Sequence, residues 1–295
     1  MTARMDMMTL LSEARDVQME SWPLARENYL SLGSTERRVF KLDDFTGAIQ
    51  FNPARAVSTG ASIDAASISR RPCFLCGANR PLQQSSEEII PGWEFLVNPY
   101  PIVPLHFTIA SMEHRPQDRI PLDMASMAEK LPGMTVFFNG ARAGASAPDH
   151  LHCQAVPTAE LPLMRYLEGG GDIDKLPFIV YFRVITPDFE GMRHLNEIVK
   201  IKGKDRTTGE ADARLVNAYM WIGADGLLRV CVIPRSAHRP SFYDNSGMEG
   251  YMVSPGAIDM AGVMILPRKE DFIRMDDETV NRVYSEVALQ KITDK

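Results

Sequence analysis

The spacing of hydrophobic and polar positions divides the chain into a helical start and two strand-rich regions. Apolar residues recur at helical spacing over residues 5–31, which predicts one or two helices broken near Pro23. From Arg38 onward, short runs rich in Val, Ile and Phe predict strands: RVFKLDD, AIQFNPARA and WEFLVNPYPIVPLHFTIAS. LDMASMAEKLPGM predicts a helix, and TVFFNG predicts a strand that leads into a loop of small residues at 140–149.

The second strand-rich region follows a break at glycines 169–171. Its predicted strands are FIVYFRVITP, NAYMWIG, LLRVCVIPRS and GVMILPRKE, with a hairpin turn at GADG, 223–226. DDETVNRVYSEVALQKI predicts a closing helix, with Asp276 or Asp277 as its cap. Together these elements predict an α+β protein built on a mainly antiparallel sheet with flanking helices. We divide the chain into an N-terminal helical segment (1–34) and two halves, 35–168 and 169–295, which could be a diverged duplication.

Composition narrows the class of protein. The 295 residues are 45% hydrophobic and 24% charged, with a formal net charge of -6. The acidic balance argues against nucleic acid as a partner, and no basic run or long apolar stretch indicates a membrane. The N-terminus mixes acids and bases through its apolar positions, unlike a signal peptide. With four cysteines, two of them in a C-x-x-C pair, a disulfide framework is disfavoured, so we expect a cytoplasmic protein.

The cysteine pair stands in RRPCFLCGANRP, a tight turn bracketed by prolines. Cys73 and Cys76, followed by glycine, form the knuckle that presents two thiolates to one zinc ion. A closed tetrahedral site needs two more ligands, and the histidines downstream are His106, His114, His150 and His152. A redox C-x-x-C is the alternative, although it is expected near a βαβ pattern, and two buried cysteines without metal are another.

The stretch ASAPDHLHCQAVP places two histidines and a glutamine at alternate positions. On a strand over 150–155, His150, His152 and Gln154 share one face, while Leu151 and Cys153 point to the core. Such a row of polar groups on one face is typical of a reactive or metal-binding surface. Ordinary surface or core histidines are the alternative, and a pair that both bind metal is a third.

The loop before the histidines suits phosphate. Residues 140–146 include two glycines and three alanines, so backbone N–H groups can approach a ligand closely. A neutral imidazole beside amide donors can attack phosphorus, hold the transferred group as a phosphoramidate and pass it to a second acceptor.

In combination these motifs resemble the galactose-1-phosphate uridylyltransferase branch of the histidine-triad superfamily. That branch includes diadenosine tetraphosphate phosphorylases and GDP-hexose phosphorylases. The resemblance is carried by the C-x-x-C knuckle, by FNPARA at 51–56 and by FNG…GASAPDHLHCQA, and in the second half by RVCVIPRSAHRP and SPGAIDMAGVMILPRKEDF. It covers roughly residues 38–275 and implies a histidine-triad-like fold with two related halves. A homodimer is an expectation from the resemblance alone.

The resemblance also implies roles for single residues. His152 would be the nucleophile that becomes nucleotidylated. Gln154 would hydrogen-bond the transferred phosphate and Ser146 the phosphate beyond it, while Asn139 would order the loop. The remaining candidate substrate-binding residues are Asn52, Arg55, Arg142 and Arg235. The alternative for Arg142 and Arg235 is a solvated loop or turn.

A structural zinc ion is implied on Cys73, Cys76, His114 and His150. We prefer His114 to His106 as a ligand, because TIASMEHRP matches a strand running out into a ligand-bearing turn. The chain departs from the branch at Asp149, where the uridylyltransferases and diadenosine enzymes run straight from proline to histidine. This extra residue could alter the loop or hydrogen-bond an imidazole.

These observations predict a nucleotidyltransferase or phosphorylase that works by double displacement. Its substrate would be a nucleoside diphosphate sugar or a dinucleoside polyphosphate, and inorganic phosphate or a sugar phosphate would resolve the nucleotidyl-histidine. One alternative is a hydrolase of the same fold, in which water resolves the intermediate. A catalytically silent zinc- or nucleotide-binding module is the alternative from another class, and Asp149 is the feature that favours it.

Overall fold

The computed structural model describes residues 7–60, 65–244 and 249–291. In these residues the helices are α1 (Met7–Ser21), α2 (Pro23–Ser31), α3 (Ala56–Thr59), α4 (Ala65–Ser69), α5 (Met124–Lys130), α6 (Pro162–Glu168), α7 (Phe189–Ile198), α8 (Ala257–Met260), α9 (Lys269–Arg274) and α10 (Asp277–Val287). The strands are β1 (Glu36–Leu42), β2 (Phe45–Phe51), β3 (Ser86–Ile90), β4 (Trp93–Val97), β5 (Phe107–Ser111), β6 (Met134–Asn139), β7 (His152–Pro157), β8 (Tyr181–Ile185), β9 (Gly203–Lys204), β10 (Ala211–Asp212), β11 (Val216–Ile222), β12 (Leu228–Pro234) and β13 (Val263–Leu266).

One eight-stranded sheet dominates the fold. Its order is β3-β4-β5-β7-β6-β11-β12-β8, and all neighbouring strands pair antiparallel. The pair β6–β11, with Asn139 opposite Asn217, joins strands from the two sides of the predicted boundary at residue 169. The mainly antiparallel α+β class predicted from the sequence is therefore confirmed, and the division into two halves stays a prediction.

A smaller sheet combines the two ends of the chain. Its order is β1-β2-β13, in which β1 pairs antiparallel with β2 and β13 pairs parallel with β2. The helix α10 packs against β1, and α6 and α9 pack against β2. Residues more than 200 positions apart along the chain thus share one layer.

Besides a small cluster around Cys73 and Leu75, the core of the described residues has two parts, on opposite faces of the large sheet. Successive residues of β6 alternate between them, since Phe137 belongs to one cluster of buried side chains and Val136 and Phe138 to the other. In β11, Tyr219 and Met220 alternate in the same way. Because both faces are covered, the middle strands read as continuous apolar runs rather than as alternating patterns.

Most elements agree with the pattern of the sequence. The break before Pro23 divides α1 from α2, and the turn between β11 and β12 closes with a hydrogen bond from Gly223 N to Leu227 O. Asp276 caps α10 by accepting from the backbone of Thr279. The predicted strand over 150–155 instead begins at His152, so His150 precedes it. The sequence predicts neither α7 nor the shorter helices α3, α4, α6, α8 and α9, and it does not predict the strands β3, β9 and β10. No described helix has the length and apolar character needed to span a membrane.

Candidate functional site

Two cysteines and two histidines converge beside the start of β7. The Sγ atom of Cys73 lies 3.3 Å from Nδ1 of His150, and the Sγ atom of Cys76 lies 3.2 Å from Nδ1 of His114. One potential ligand atom from each residue falls within a set in which all mutual distances are at most 4.8 Å. We call these residues the cysteine–histidine cluster. They are the four side chains that the sequence predicted as ligands, and His106 is not among them.

The local hydrogen bonds orient the donor atoms of the cluster toward one another. Nε2 of His150 donates to the backbone oxygen of Ser111 at 2.7 Å, which leaves Nδ1 with its lone pair toward the sulfur atoms. The knuckle is closed by the backbone N–H of Cys76 donating to the oxygen of Cys73. Two thiolates and two imidazoles are a donor set that suits zinc. The residues therefore fit the metal that the resemblance implies, and zinc itself stays a prediction.

His152, the first residue of β7, has a defined ring orientation. Its Nδ1 lies 2.8 Å from the backbone oxygen of His150, an atom that can only accept, so Nδ1 carries the proton. The ring is 4% exposed, and burial lowers the pKa of His152 to about 4. The imidazole is thus neutral near pH 7, and its Nε2 has a free lone pair. This is the protonation state that a nitrogen nucleophile requires.

Gln154, two residues further along β7, is oriented by His106. The backbone N–H of Ile102 donates to Nδ1 of His106, so Nε2 is the donor and gives a 2.8 Å hydrogen bond to Oε1 of Gln154. Because the oxygen of the Gln154 amide is bound from behind, its NH2 group faces away from His106. No acceptor for that NH2 group occurs in the described part of the chain. The sequence identified His106 as structural, and the structure gives it this positioning contact.

The loop over 140–149 lies against the turn at 254–257. Gly144 has φ +97°, and a Cβ atom added there would come 2.4 Å from Cα of Gly256 and 3.0 Å from the oxygen of Pro255. Its backbone N–H donates to Nδ1 of His238 at 3.3 Å. Burial, with the charge of Arg239 adding to it, lowers the pKa of His238 to about 3, so this acceptor remains unprotonated.

A buried network of polar side chains hydrogen-bonds to the same loop and to the turn at 254–257. Oδ1 of Asn139 accepts from the backbone of Ala257 and from Nδ2 of Asn217, which also donates to the oxygen of Ala143. Arg235 is fully buried and donates to Oδ1 of Asn217 at 2.6 Å. Its other hydrogen bonds go to the backbone oxygens of Val287, Pro255, Ala237 and His238. We call Asn139, Asn217 and Arg235 the arginine hub. The guanidinium of Arg235 is directed to protein acceptors, so the geometry does not favour its predicted contact with substrate.

Asn52 and Arg55 lie against the segment that precedes His106. Nη1 of Arg55 donates to the oxygen of Tyr100 at 2.7 Å, and Nδ2 of Asn52 donates to that of Pro101 at 3.3 Å. Oδ1 of Asn52 is buried and accepts no hydrogen bond from any described residue. These two predicted binding residues are therefore anchored beside the site, with one amide oxygen unused.

Arg142, Ser146 and Asp149 lie on the loop itself. The guanidinium of Arg142 forms ion pairs with Asp205 and, at 2.9 Å, with Asp212, so its charge is already compensated. Ser146 is partly exposed. Asp149 pairs with Arg71 at 3.3 Å rather than with an imidazole. Direct contacts of Arg142 and Ser146 with substrate stay predictions.

Two residues of the site were missed from the sequence. Gln117 hydrogen-bonds the backbone of His152, and Asn217 links the arginine hub to the loop. Each is a single polar residue, Gln117 in an irregular segment and Asn217 in an apolar strand, and neither belongs to a spacing motif. The only sequence signal is that of Asn217, an amide at the start of the apolar run NAYMWIG.

Comparison with known proteins supports the architecture. Residues 15–157 match a family described as a domain of unknown function, DUF4922, and no curated protein sequence matches significantly. The crystal structure of yeast Ap4A phosphorylase Apa2 is similar over 92% of this chain and 98% of that one, with a TM-score of 0.59 and 14% identity. The chain has the Ap4A phosphorylase fold. The histidine-triad-like fold implied by the sequence is thereby confirmed.

Complexes of the same yeast enzyme match equally well. The structure with Ap4A gives a TM-score of 0.60 over 92% of this chain and 98% of that one, at 14% identity. The structure with AMP gives 0.58 over 94% and 99%, again at 14% identity. At this identity the likeness concerns the fold, and activity has to be argued from the site.

Proposed function

We propose that this protein is a nucleotidyl-transferring phosphorylase that cleaves a dinucleoside polyphosphate through a nucleotidyl group on His152. The observation that carries the proposal is the hydrogen bond from Nδ1 of His152 to the oxygen of His150, at 2.8 Å. It holds the ring in the tautomer whose Nε2 can attack phosphorus.

In the first step Nε2 of His152 attacks the α-phosphorus of the substrate. A nitrogen–phosphorus bond forms as the phosphorus–oxygen bond to the rest of the chain breaks, and a nucleoside polyphosphate leaves as an anion. In the second step an oxygen of inorganic phosphate attacks the same phosphorus. The nitrogen–phosphorus bond breaks, a nucleoside diphosphate is released, and His152 returns to its neutral form.

The surroundings of His152 fit the charge that develops on the phosphorus oxygens. The NH2 group of Gln154 is available as a donor because His106 holds its oxygen. Backbone N–H groups of the loop over 140–149, with the hydroxyl of Ser146, would supply further donors. Such preorganised donors stabilise the transition state without reorganising during the reaction.

A metal on the cysteine–histidine cluster would have a structural role. Four protein ligands close a tetrahedral site and leave no position for water or substrate. The backbone oxygen of one ligand residue, His150, orients the ring of His152. A bound cation would thereby hold the backbone on which the nucleophile depends.

The substrate class rests on the neighbours and on the sequence together. Yeast Ap4A phosphorylase Apa2 has been crystallised with Ap4A and with AMP. We therefore favour a dinucleoside polyphosphate, with nucleotide sugars as the other class that the sequence predicted. The homodimer and the cytoplasmic location also remain predictions from the sequence.

Intact-mass spectrometry of a trapped adduct tests the proposal. The protein is incubated without phosphate with diadenosine tetraphosphate and, separately, with ADP-, GDP- and UDP-hexoses. We expect the mass of one adenylyl group with the tetraphosphate, lost in His152→Gln and kept in His194→Gln, which alters a histidine on α7. Phosphate should then discharge the adduct as ADP.

Other outcomes count against the proposal. An adduct that persists in His152→Gln would refute the assignment of the nucleophile. Release of AMP at equal rates with and without phosphate would indicate a hydrolase. The absence of an adduct with every substrate would leave a binding module as the better description.

A further inference from the structure

Gln117 lies in an irregular segment between β5 and α5, yet its side chain is fully buried. All of its polar atoms are engaged. Its backbone N–H donates to the oxygen of Pro148 at 3.1 Å, and its backbone oxygen accepts from Ala141 at 3.3 Å. One residue therefore binds both ends of the loop over 140–149.

The side chain of Gln117 lies where two strands separate. The pairing of β6 with β7 runs from Met134 opposite Pro157 to Phe137 opposite Gln154, and goes no further. Beyond that point β6 continues along β11 and β7 continues along β5. The backbone groups of the diverging ends thus lack each other as partners, and the gap opens at the first residue of β7.

The amide of Gln117 fills this gap. Its Oε1 accepts from the backbone N–H of His152 at 2.8 Å, and its Nε2 donates to the backbone oxygens of His152 and Asn139, both at 2.8 Å. The side-chain amide thus replaces the missing peptide of the ladder. Because it is inserted between the strands, they are held apart at a set distance.

We propose that Gln117 is a positioning residue for His152: its amide fixes the opening between β6 and β7 and thereby the placement of the nucleophile against the loop. The part of this inference that concerns the reaction rests on the proposed function. The part that concerns the ring of His152 does not, since it follows from the hydrogen bonds alone.

The physical reason is the chain of contacts from Gln117 to the imidazole. The ring of His152 hydrogen-bonds only to the backbone oxygen of His150 in the described residues, and Gln117 fixes the peptide groups on both sides of the His152 Cα. Without the amide, three buried backbone groups lose their partners and the strands must shift or admit water. A displacement of about 1 Å at the reacting atom lowers the rate by about 100-fold.

The test compares Gln117→Met with a matched control, Gln50→Met. Gln50 is also fully buried, and its amide hydrogen-bonds the backbone of Ile102 and the side chain of Arg37, in the small sheet. In single-turnover adenylylation we expect Gln117→Met to slow adduct formation by about 100-fold with KM changed by less than about threefold. Gln50→Met should change the rate by less than about threefold. If Gln117→Met does not fold, Gln117→Asn keeps the amide and withdraws it by one methylene, and should show the same split.

A second measurement does not depend on activity. Nitrogen-15 NMR of histidine-labelled protein reports the tautomer of His152, and we expect the Nδ1–H form in the wild type and in Gln50→Met. Gln117→Met should show a mixture of both tautomers. Equal slowing by both variants, or an unchanged tautomer in Gln117→Met, would overturn the inference. If the wild type forms no adduct but the tautomer shifts as expected, the proposed function fails and the positioning role stands.

Discussion

Two regions of different chemistry support the loop over 140–149, one a set of potential metal ligands and the other a buried hydrogen-bond network. On one side the cysteine–histidine cluster brings together soft donor atoms, and one of its members, His114, is exposed. On the other side the arginine hub is buried, and its guanidinium is satisfied by oxygens of the protein itself. The first region has the donor set for a cation, which we propose holds it together, whereas the polar groups of the second are satisfied by the protein itself. The site therefore depends on two supports that can be removed separately.

Removing the metal support should have the largest effect. In Cys73→Ala we expect bound metal to be lost and the free energy of unfolding to fall by about 4 kcal/mol or more, because folding and metal binding are coupled. Elemental analysis and urea unfolding measure the two effects. A chelator should destabilise the wild type and leave the variant unchanged.

The control for this variant is Cys231→Ala, which truncates a fully buried cysteine in the large core cluster that also holds Phe137. It should cost about 1–2 kcal/mol as a small cavity and leave the metal content unchanged. Wild-type protein that contains no metal and is not destabilised by the chelator would contradict the comparison. Both supports would then consist of the protein's own groups.

Removing the guanidinium of the arginine hub should rank second. Arg235→Met leaves Asn217 and several backbone oxygens without donors, and we expect a loss of about 3–5 kcal/mol in urea unfolding, with the metal content unchanged. Arg229→Met is the control, because that arginine pairs with the partly exposed carboxylates of Asp225 and Glu168. A loss near 1 kcal/mol is expected there. Equal losses in the two variants would show that the hub carries no special weight.

The two supports also differ in how far the sequence reveals them. The cluster could be predicted, since C-x-x-C and H-x-H are spacing motifs and their residue types are uncommon. The arginine hub joins Asn139, Asn217 and Arg235, each an ordinary residue whose importance arises only when β6, β11 and β12 come together. From the sequence we predict Arg235 as a ligand for phosphate, with a solvated turn as the alternative, and its burial is visible only in the fold. A buried arginine and a phosphate-binding one look alike in a sequence.

Burial and contacts between distant residues also account for the other differences between predicted and observed elements. The middle strands were found because burial on both faces leaves continuous apolar runs, as in β11 and β12. In α7 two apolar side chains, Phe189 and Met192, are exposed, so apolar character alone does not identify its buried residues Leu195 and Ile198. The sequence could not predict that β7 begins at His152 rather than at residue 150. The side chain of Gln117, 35 residues away along the chain, interrupts the β ladder there.

The junction between the two supports can be strained at Gly144. Gly144→Ala places a Cβ atom 2.4 Å from Cα of Gly256 at a positive φ, so the loop must move. We expect a loss of about 3 kcal/mol and at least about tenfold slower adduct formation. Gly92→Ala has a similar φ, +83°, but open space around the added atom, and should cost about 1 kcal/mol without affecting the adduct. Similar results for the two variants would mean that backbone strain alone, and not the contact with the second half, matters at Gly144.

The smallest effect concerns pH and the buried ring that orients Gln154. Burial, with the charge of Arg55 adding to it, lowers the pKa of His106 to about 3, against about 6.5 in the unfolded chain. Below about pH 6.5 the unfolded state therefore binds a proton that the native state does not. The free energy of unfolding is unaffected by this protonation above about pH 6.5 and decreases as the pH falls toward 3. His106→Asn removes the titrating group and keeps an acceptor for the backbone of Ile102. The variant should be less stable than the wild type at pH 7, and the gap in urea unfolding should narrow by about 2 kcal/mol at pH 5. A gap that stays constant between these pH values would show that His106 is not held neutral against protonation, and that Gln154 is oriented by shape rather than by a proton fixed on Nε2.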